Sequence, residues 1–171
     1  MKDEYIYEVD EEDNEIGKVL RSYMRKNNLR HRSAIILVLN SNKEMLFQRR
    51  SMEKDVFPSF YGTGAGGVVS YGEDYSTTAK REIEEELGIK NTKLNFMFKK
   101  NYTSEHAKAV SAIYYCIYDG ELIFKDGEVT ETLWVSFDEV ENFIKLHNVL
   151  DEDIIIFKDF KKMIDKGEIK L

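Results

Sequence analysis

Between Gly67 and Ile89 the chain reads GVVSYGEDYSTTAKREIEEELGI, a glycine-led loop that runs into a helix carrying a packed set of glutamates. An α-helix turns by about 100° per residue, so Glu82, Glu85 and Glu86, at i, i+3 and i+4, fall on one stripe. Like charges at these spacings destabilise a helix by roughly 0.2–0.5 kcal/mol per pair. A plain structural helix gains nothing from them unless cations sit between the carboxylates, although a solvated acidic face is what most glutamate-rich helices are. Oxygen ligands with no neighbouring His or Cys suit Mg²⁺ or Mn²⁺ better than Zn²⁺. Next to the acidic stripe, Tyr75, Ala79, Ile83 and Leu87 recur every four residues. That apolar stripe predicts a half-buried helix with its carboxylates at the rim of a cleft. Gly88 is placed to end it. Upstream, Gly62, Gly64, Gly66, Gly67 and Gly72 let the backbone bend tightly and approach a ligand closely.

The remainder of the chain bounds the setting. A length of 171 residues predicts one domain with a real core. The start, MKDEYIYEVDEEDNE, has no basic region or apolar stretch, and no run of eighteen apolar residues follows, so a cytoplasmic protein without a membrane span is expected. A formal net charge of -7 argues against a general nucleic-acid surface. Small anionic substrates stay compatible with it, because bound cations invert charge locally. Cys116 is the only cysteine and lies in the apolar run SAIYYCIY, which predicts a buried core thiol.

Propensity and alternation place the elements. YIYEVD and EIGKVLR form two strands around a polar turn, with a short helix from Arg21 to Asn28. AIILVLN and EMLFQRR are an apolar strand pair joined by Ser41-Asn42-Lys43, and KLNFMFKKNYT, AVSAIYYCIYDG and ETLWVSF are further strands. Two helices close the chain over about 137–167: one starting at Ser136 with Glu139 as a capping box, one from about Asp151 to just before Gly167. The strands flank a central helix and more helices follow, so the pattern predicts an α+β fold with a mixed sheet between helical layers. The strands of about 1–30 are an N-terminal extension.

The Gly67–Ile89 segment resembles a Nudix box, filling every fixed position of that pattern: Gly67, Glu73, Arg81, Glu82, Ile83, Glu85, Glu86, Gly88 and Ile89. The resemblance implies an α/β/α sandwich and a metal-dependent pyrophosphohydrolase. It also implies that the Gly67 carbonyl reaches the metal, and that Glu73 and Arg81 pair to hold loop against helix. On this reading Glu85 and Glu86 are metal ligands, and Glu82 is a ligand or the base for the attacking water. Hydrolases of the family often recruit one more glutamate from outside the box. Glu128, in the polar turn DGEV, is the expected one, with Glu105 and Glu131 weaker candidates.

Beyond the box, Asp10-Glu11, Asn14, Gly17, Arg21, His31-Arg32 and FQRRSMEKDVFPSFYGTGAGG are similar to the Nudix subgroup allied to isopentenyl-diphosphate isomerase. That likeness implies that Arg50 and Lys54 approach a diphosphate, a role that suits charge-assisted contacts. The isomerase itself would need a Cys and a His flanking the box glycine. Here those positions are Gly66 and Val68, and His31 has no partner histidines in the motif. The expected activity is therefore hydrolysis of the diphosphate bond in a nucleoside diphosphate linked to another moiety, with CDP or UDP types as first trials. An isomerase and a non-catalytic nucleotide sensor are the alternatives. Phe57, Phe60 and Tyr61 are available to stack on a base or to fill the core. The partner is a small diphosphate. The oligomeric state is not readable from one sequence, and a homodimer is one option.

Overall fold

The run AIILVLN is apolar on both sides of its pleat, and the strand containing it, β3 (Arg30–Leu39), sits at the centre of the molecule. The structure is a computed structural model that describes residues 3–53, 56–124 and 129–171. One edge of β3 pairs along its whole length, in parallel, with β8 (Lys108–Ile117), which pairs antiparallel with β7 (Asn95–Thr103). The other edge is shared in sequence by three antiparallel partners. β1 (Tyr5–Val9) meets it at His31, β6 (Ala65–Val68) spans Ser33 to Ile36, and β4 (Glu44–Arg50) meets it at Leu39. β2 (Glu15–Leu20) pairs with β1, while β5 (Tyr61–Thr63) and β9 (Val129–Ser136) flank β4. One parallel pair among antiparallel ones makes a mixed sheet.

Alternation along the central strands decides the layers. Ala34, Ile36 and Val38, with Leu46, Ala112, Tyr114 and Cys116, face helix α2 (Tyr75–Leu87) and pack on its Ala79, Ile83 and Leu87. Leu37, Leu39, Met45, Phe47 and Ile113 point the opposite way. They meet Val140 of α3 (Val140–Leu146) and Ile156, Phe157 and Phe160 of α4 (Asp151–Asp165). A sheet whose strands are buried on both faces needs a helical layer on each. The result is an α/β/α sandwich within an α+β chain. Helix α1 (Arg21–Asn27) links β2 to β3.

Two local expectations are corrected. The glycine-rich run after Phe60 is not a set of bends: it forms β5 and β6, and only Gly64 between them, at φ 55°, takes a left-handed conformation. A Cβ at Gly64 would fall 1.8 Å from the Ile36 carbonyl oxygen, so small residues here let a strand press against β3. The capping box at Ser136 does not form. Phe137–Glu139 is a single 3-10 turn ahead of α3, and Ser136 makes no side-chain cap. Helix α2, in contrast, is closed at both ends. Asp74 accepts from the Thr77 amide at 2.7 Å, and the Gly88 and Ile89 amides return to Glu84 and Ile83.

Candidate active site

The apolar stripe of α2 fixes how its carboxylates stand. With Ala79, Ile83 and Leu87 buried against the sheet, Glu86 is drawn to the buried side at 8% exposure, Glu82 is partly covered, and Glu85 faces outward. All three line one cleft of about 1170 Å³. Gly66 and Gly67 of β6 line the same space, as do Gln48 and Arg50 of β4, Thr63 of β5, and Glu152 and Asp153 at the start of α4. Because β6 and β4 both hang from β3, the sheet carries the α2 side and the α4 side of the cleft on one rigid frame.

Contacts within the cleft are specific. The Glu86 carboxylate accepts from the Gln48 amide at 3.0 Å and from the Gly66 N–H at 3.2 Å. The Glu82 carboxylate lies so close to Gly67 that a Cβ there would fall 2.1 Å from its Oε1. Glycine at 67 is therefore a requirement of close approach. Burial raises the Glu82 carboxyl above its ordinary value, partly offset by Arg81. Arg81 spans three carboxylates: it donates to both Glu73 oxygens at 3.3 Å, to Glu82 at 2.8 Å and to Glu85 at 2.9 Å. The cation that the repelling stripe requires is thus supplied, in this arrangement, by Arg81. Glu73 also accepts from the Thr78 hydroxyl, which ties the loop to α2.

The donor set fits a hard divalent cation by its chemistry. Carboxylate oxygens dominate the α2 side of the cleft, and the glycine cradle brings backbone against Glu82. Among the described residues, no three acidic, histidine or cysteine side chains converge on a single point. Arg81, bridging Glu82 and Glu85, would have to yield to such an ion.

The other sequence candidates fall as follows. Arg50 lines the cleft; one guanidinium nitrogen donates to the Val56 carbonyl at 3.1 Å, and its Nε is buried without a partner among the described residues. Lys54 and Glu128 lie outside the described residues. Glu131 accepts from the Tyr61 hydroxyl at 2.9 Å, joining β9 to β5, and Glu105 is exposed beside His106. Tyr61 packs against Phe143 in the α3–α4 core, while Phe57 and Phe60 pair with each other. His31 lines the cleft; burial lowers it to about 4, so it is neutral at pH 7. Cys116 is fully buried on the α2 face, and burial pushes its thiol up to about 12.

Sequence reasoning missed Gln48, Thr63, Glu152 and Asp153. A signal existed for Gln48, since residues two apart on a strand share a face and Arg50 was already singled out. No comparable signal marked Asp153, because acids in the first turn of a helix are common for their effect on its dipole.

Comparison with known proteins agrees with this geometry. Residues 29–156 match the NUDIX domain family. The chain is 34% identical over 137 residues to an uncharacterised Nudix hydrolase of Yersinia pestis, covering 80% of this chain and 75% of that one. It is 33% identical over 132 residues to another from Pseudomonas aeruginosa, covering 77% and 78%. The crystal structure of DR0079 from Deinococcus radiodurans superposes with a TM-score of 0.80 at 22% identity, covering 91% of this chain and 98% of that one, which shows the same fold. By sequence match and by fold together, the chain belongs to the Nudix hydrolase family.

Proposed function

We propose that this protein hydrolyses the phosphoanhydride bond of a nucleoside diphosphate linked to another group, with Mg²⁺ or Mn²⁺ held by Glu82, Glu85, Glu86 and the Gly67 carbonyl. One observation carries the reading. The carboxylate stripe of α2 and the Arg50 guanidinium, whose buried Nε has no partner among the described residues, line the same cleft. An unpartnered buried N–H of a charged group costs about 1–3 kcal/mol or more, and an anionic phosphate oxygen is a suitable acceptor for it.

A divalent cation bound there would neutralise phosphate charge and lower the pKa of a water. The chain's own residues do the remaining work. Gln48 and the Gly66 amide fix the Glu86 carboxylate, Gly67 admits the Glu82 carboxylate, and Glu73 holds Arg81 close to both stripe positions. Arg50, with Lys54 beyond the described residues, orients the diphosphate. Glu128, also outside them, is the additional glutamate proposed from the sequence. Isomerisation of isopentenyl diphosphate is disfavoured by the side chains present: Gly66 and Val68 offer neither a thiol nor an imidazole, and Cys116 is buried in the core.

The test is a product-release panel in Mg²⁺ or Mn²⁺ over CDP, UDP, nucleoside triphosphates, nucleotide sugars, dinucleoside polyphosphates and isopentenyl diphosphate. Release of phosphate or a nucleoside monophosphate from at least one nucleotide is expected. Deuterium uptake into isopentenyl diphosphate from heavy water, with every nucleotide left intact, would replace hydrolysis by isomerisation.

A further inference from the structure

Two carboxyls to which the proposed hydrolysis gives no role enter the same cleft from α4, which packs on the opposite face of the sheet from α2. Acids in the first turn of a helix ordinarily serve its dipole or cap it, but α4 has no side-chain cap, and these two are engaged elsewhere. Asp153, only 5% exposed, accepts the Thr63 amide of β5 at 2.8 Å through Oδ2. Glu152 accepts the Ser111 hydroxyl of β8 at 2.5 Å through Oε1. Since Ser111 has a single hydroxyl proton and gives it to Glu152, the 2.6 Å contact between Ser33 and Ser111 must be donated by Ser33. One oxygen of each carboxyl is thereby taken among the described residues.

A second, independent feature lies beside them. The Thr63 hydroxyl, in a residue only 4% exposed that lines the cleft, lies against the Asp153 carboxyl and among the described residues completes no hydrogen bond of normal geometry. A buried hydroxyl left unpaired is costly. It stands next to two carboxyls, which in their ionised form repel the anionic end of a substrate. Such a wall is built for the other end.

We infer that Asp153, Glu152 and Thr63 form a subsite for the non-phosphate part of the substrate, binding an uncharged group that presents neighbouring hydrogen-bond donors. Two such groups occur in a nucleotide: the vicinal diol of the sugar and the amino edge of the base. The Thr63 hydroxyl, as donor and acceptor, completes a bidentate contact with either. Arg50 and the α2 stripe hold the diphosphate while this wall reads what is attached to it. The inference rests on the hydrolase reading and deepens it.

The experiment compares parent, Thr63→Val, Thr63→Ser, Asp153→Asn and Glu152→Gln. Rates are measured on cytidine 5′-diphosphate, its 2′,3′-dideoxy analogue, ribose 5-diphosphate and methyl diphosphate, and cytidine diphosphate binding is measured by calorimetry. In Thr63→Val and Asp153→Asn the preference for cytidine diphosphate over methyl diphosphate should fall about tenfold through KM, the scale of one hydrogen bond to a charged or buried group. Thr63→Ser should restore it. Whichever of the dideoxy and base-free probes no longer responds to the substitutions lacks the recognised donors. Glu152→Gln keeps the question open to measurement if a buried substitution unfolds the chain. An unchanged preference in folded variants would overturn the subsite. If no probe is turned over, calorimetry decides: weaker binding in the variants keeps the subsite while the hydrolase reading falls, and equal or absent binding removes the subsite.

Discussion

At the scale of single residues the account turns on which charges are shared. Arg81 touches Glu73, Glu82 and Glu85 together, so removing it leaves three carboxylates without their common partner. Arg81→Ala should lower the melting temperature as well as activity. Glu85→Gln should instead leave the melting temperature within about one or two degrees, because its side chain is 55% exposed and an exposed ion pair contributes little. Its turnover should nevertheless fall about 100-fold or more, beyond the loss typical of groups that only support a metal ligand. Thermal unfolding beside initial rates separates the two, and equal thermal losses would contradict the division. Asp153 gives a pH signature. Burial raises its carboxyl from the ordinary 3.8 to about 7 in the folded protein. Between those values the folded state keeps a proton that the unfolded chain has released, so the penalty is absent below the lower value and complete above the upper one. Asp153→Asn, which can still accept from Thr63, should therefore melt higher than the parent at pH 8, and the gap should close toward pH 4. A gap that is constant with pH, or that widens on acidification, would contradict the buried-acid account.

At the scale of elements, periodicity carried most of the information and local geometry the rest. The α2 stripe was legible because Ala79, Ile83 and Leu87 each face the sheet, and the long strands were legible because β-branched and aromatic residues fill them. β5 and β6 were not, since YGT and AGGV are only three and four residues long and are interrupted by glycine, too short for alternation to announce a strand. Their pairing is decided by the close approach of β3 and β4, a tertiary effect. The turn before α3 was misread because Ser136 and Glu139 have cap spacing while the backbone closes a 3-10 turn first. In the cleft, the carboxylate stripe could be read from spacing, whereas Thr63 and Asp153 meet only through a contact between residues 90 apart in sequence. These elements also yield a contrast between two glycines. A Cβ at Gly67 meets only the end of the Glu82 side chain, which can swing away. Gly67→Ala should thus lose activity with little change in melting temperature. A Cβ at Gly64 meets the Ile36 carbonyl at a positive φ, so Gly64→Ala should cost several degrees. Circular-dichroism melts and rates on both variants check this, and a large thermal loss in Gly67→Ala with normal activity would refute it.

At the scale of the whole molecule, the sheet joins two helical layers that each send carboxyls into one cleft from opposite faces. An acidic chain can accept an anionic substrate there only if cations are supplied locally. Arg81 supplies one charge and Arg50 another, and on the proposed reading a bound metal ion would supply the rest. Activity should consequently depend on free divalent metal far more than on ionic strength. The most direct measurement is the rate of phosphate release from cytidine 5′-diphosphate and uridine 5′-diphosphate. It is followed against Mg²⁺ and Mn²⁺ concentration, and in chelator, for the parent, Glu85→Gln and Glu86→Gln. The account predicts saturable metal-dependent release by the parent, none in chelator, and losses of about 100-fold or more in both variants. Full turnover in chelator, or parental rates in both variants, would contradict it.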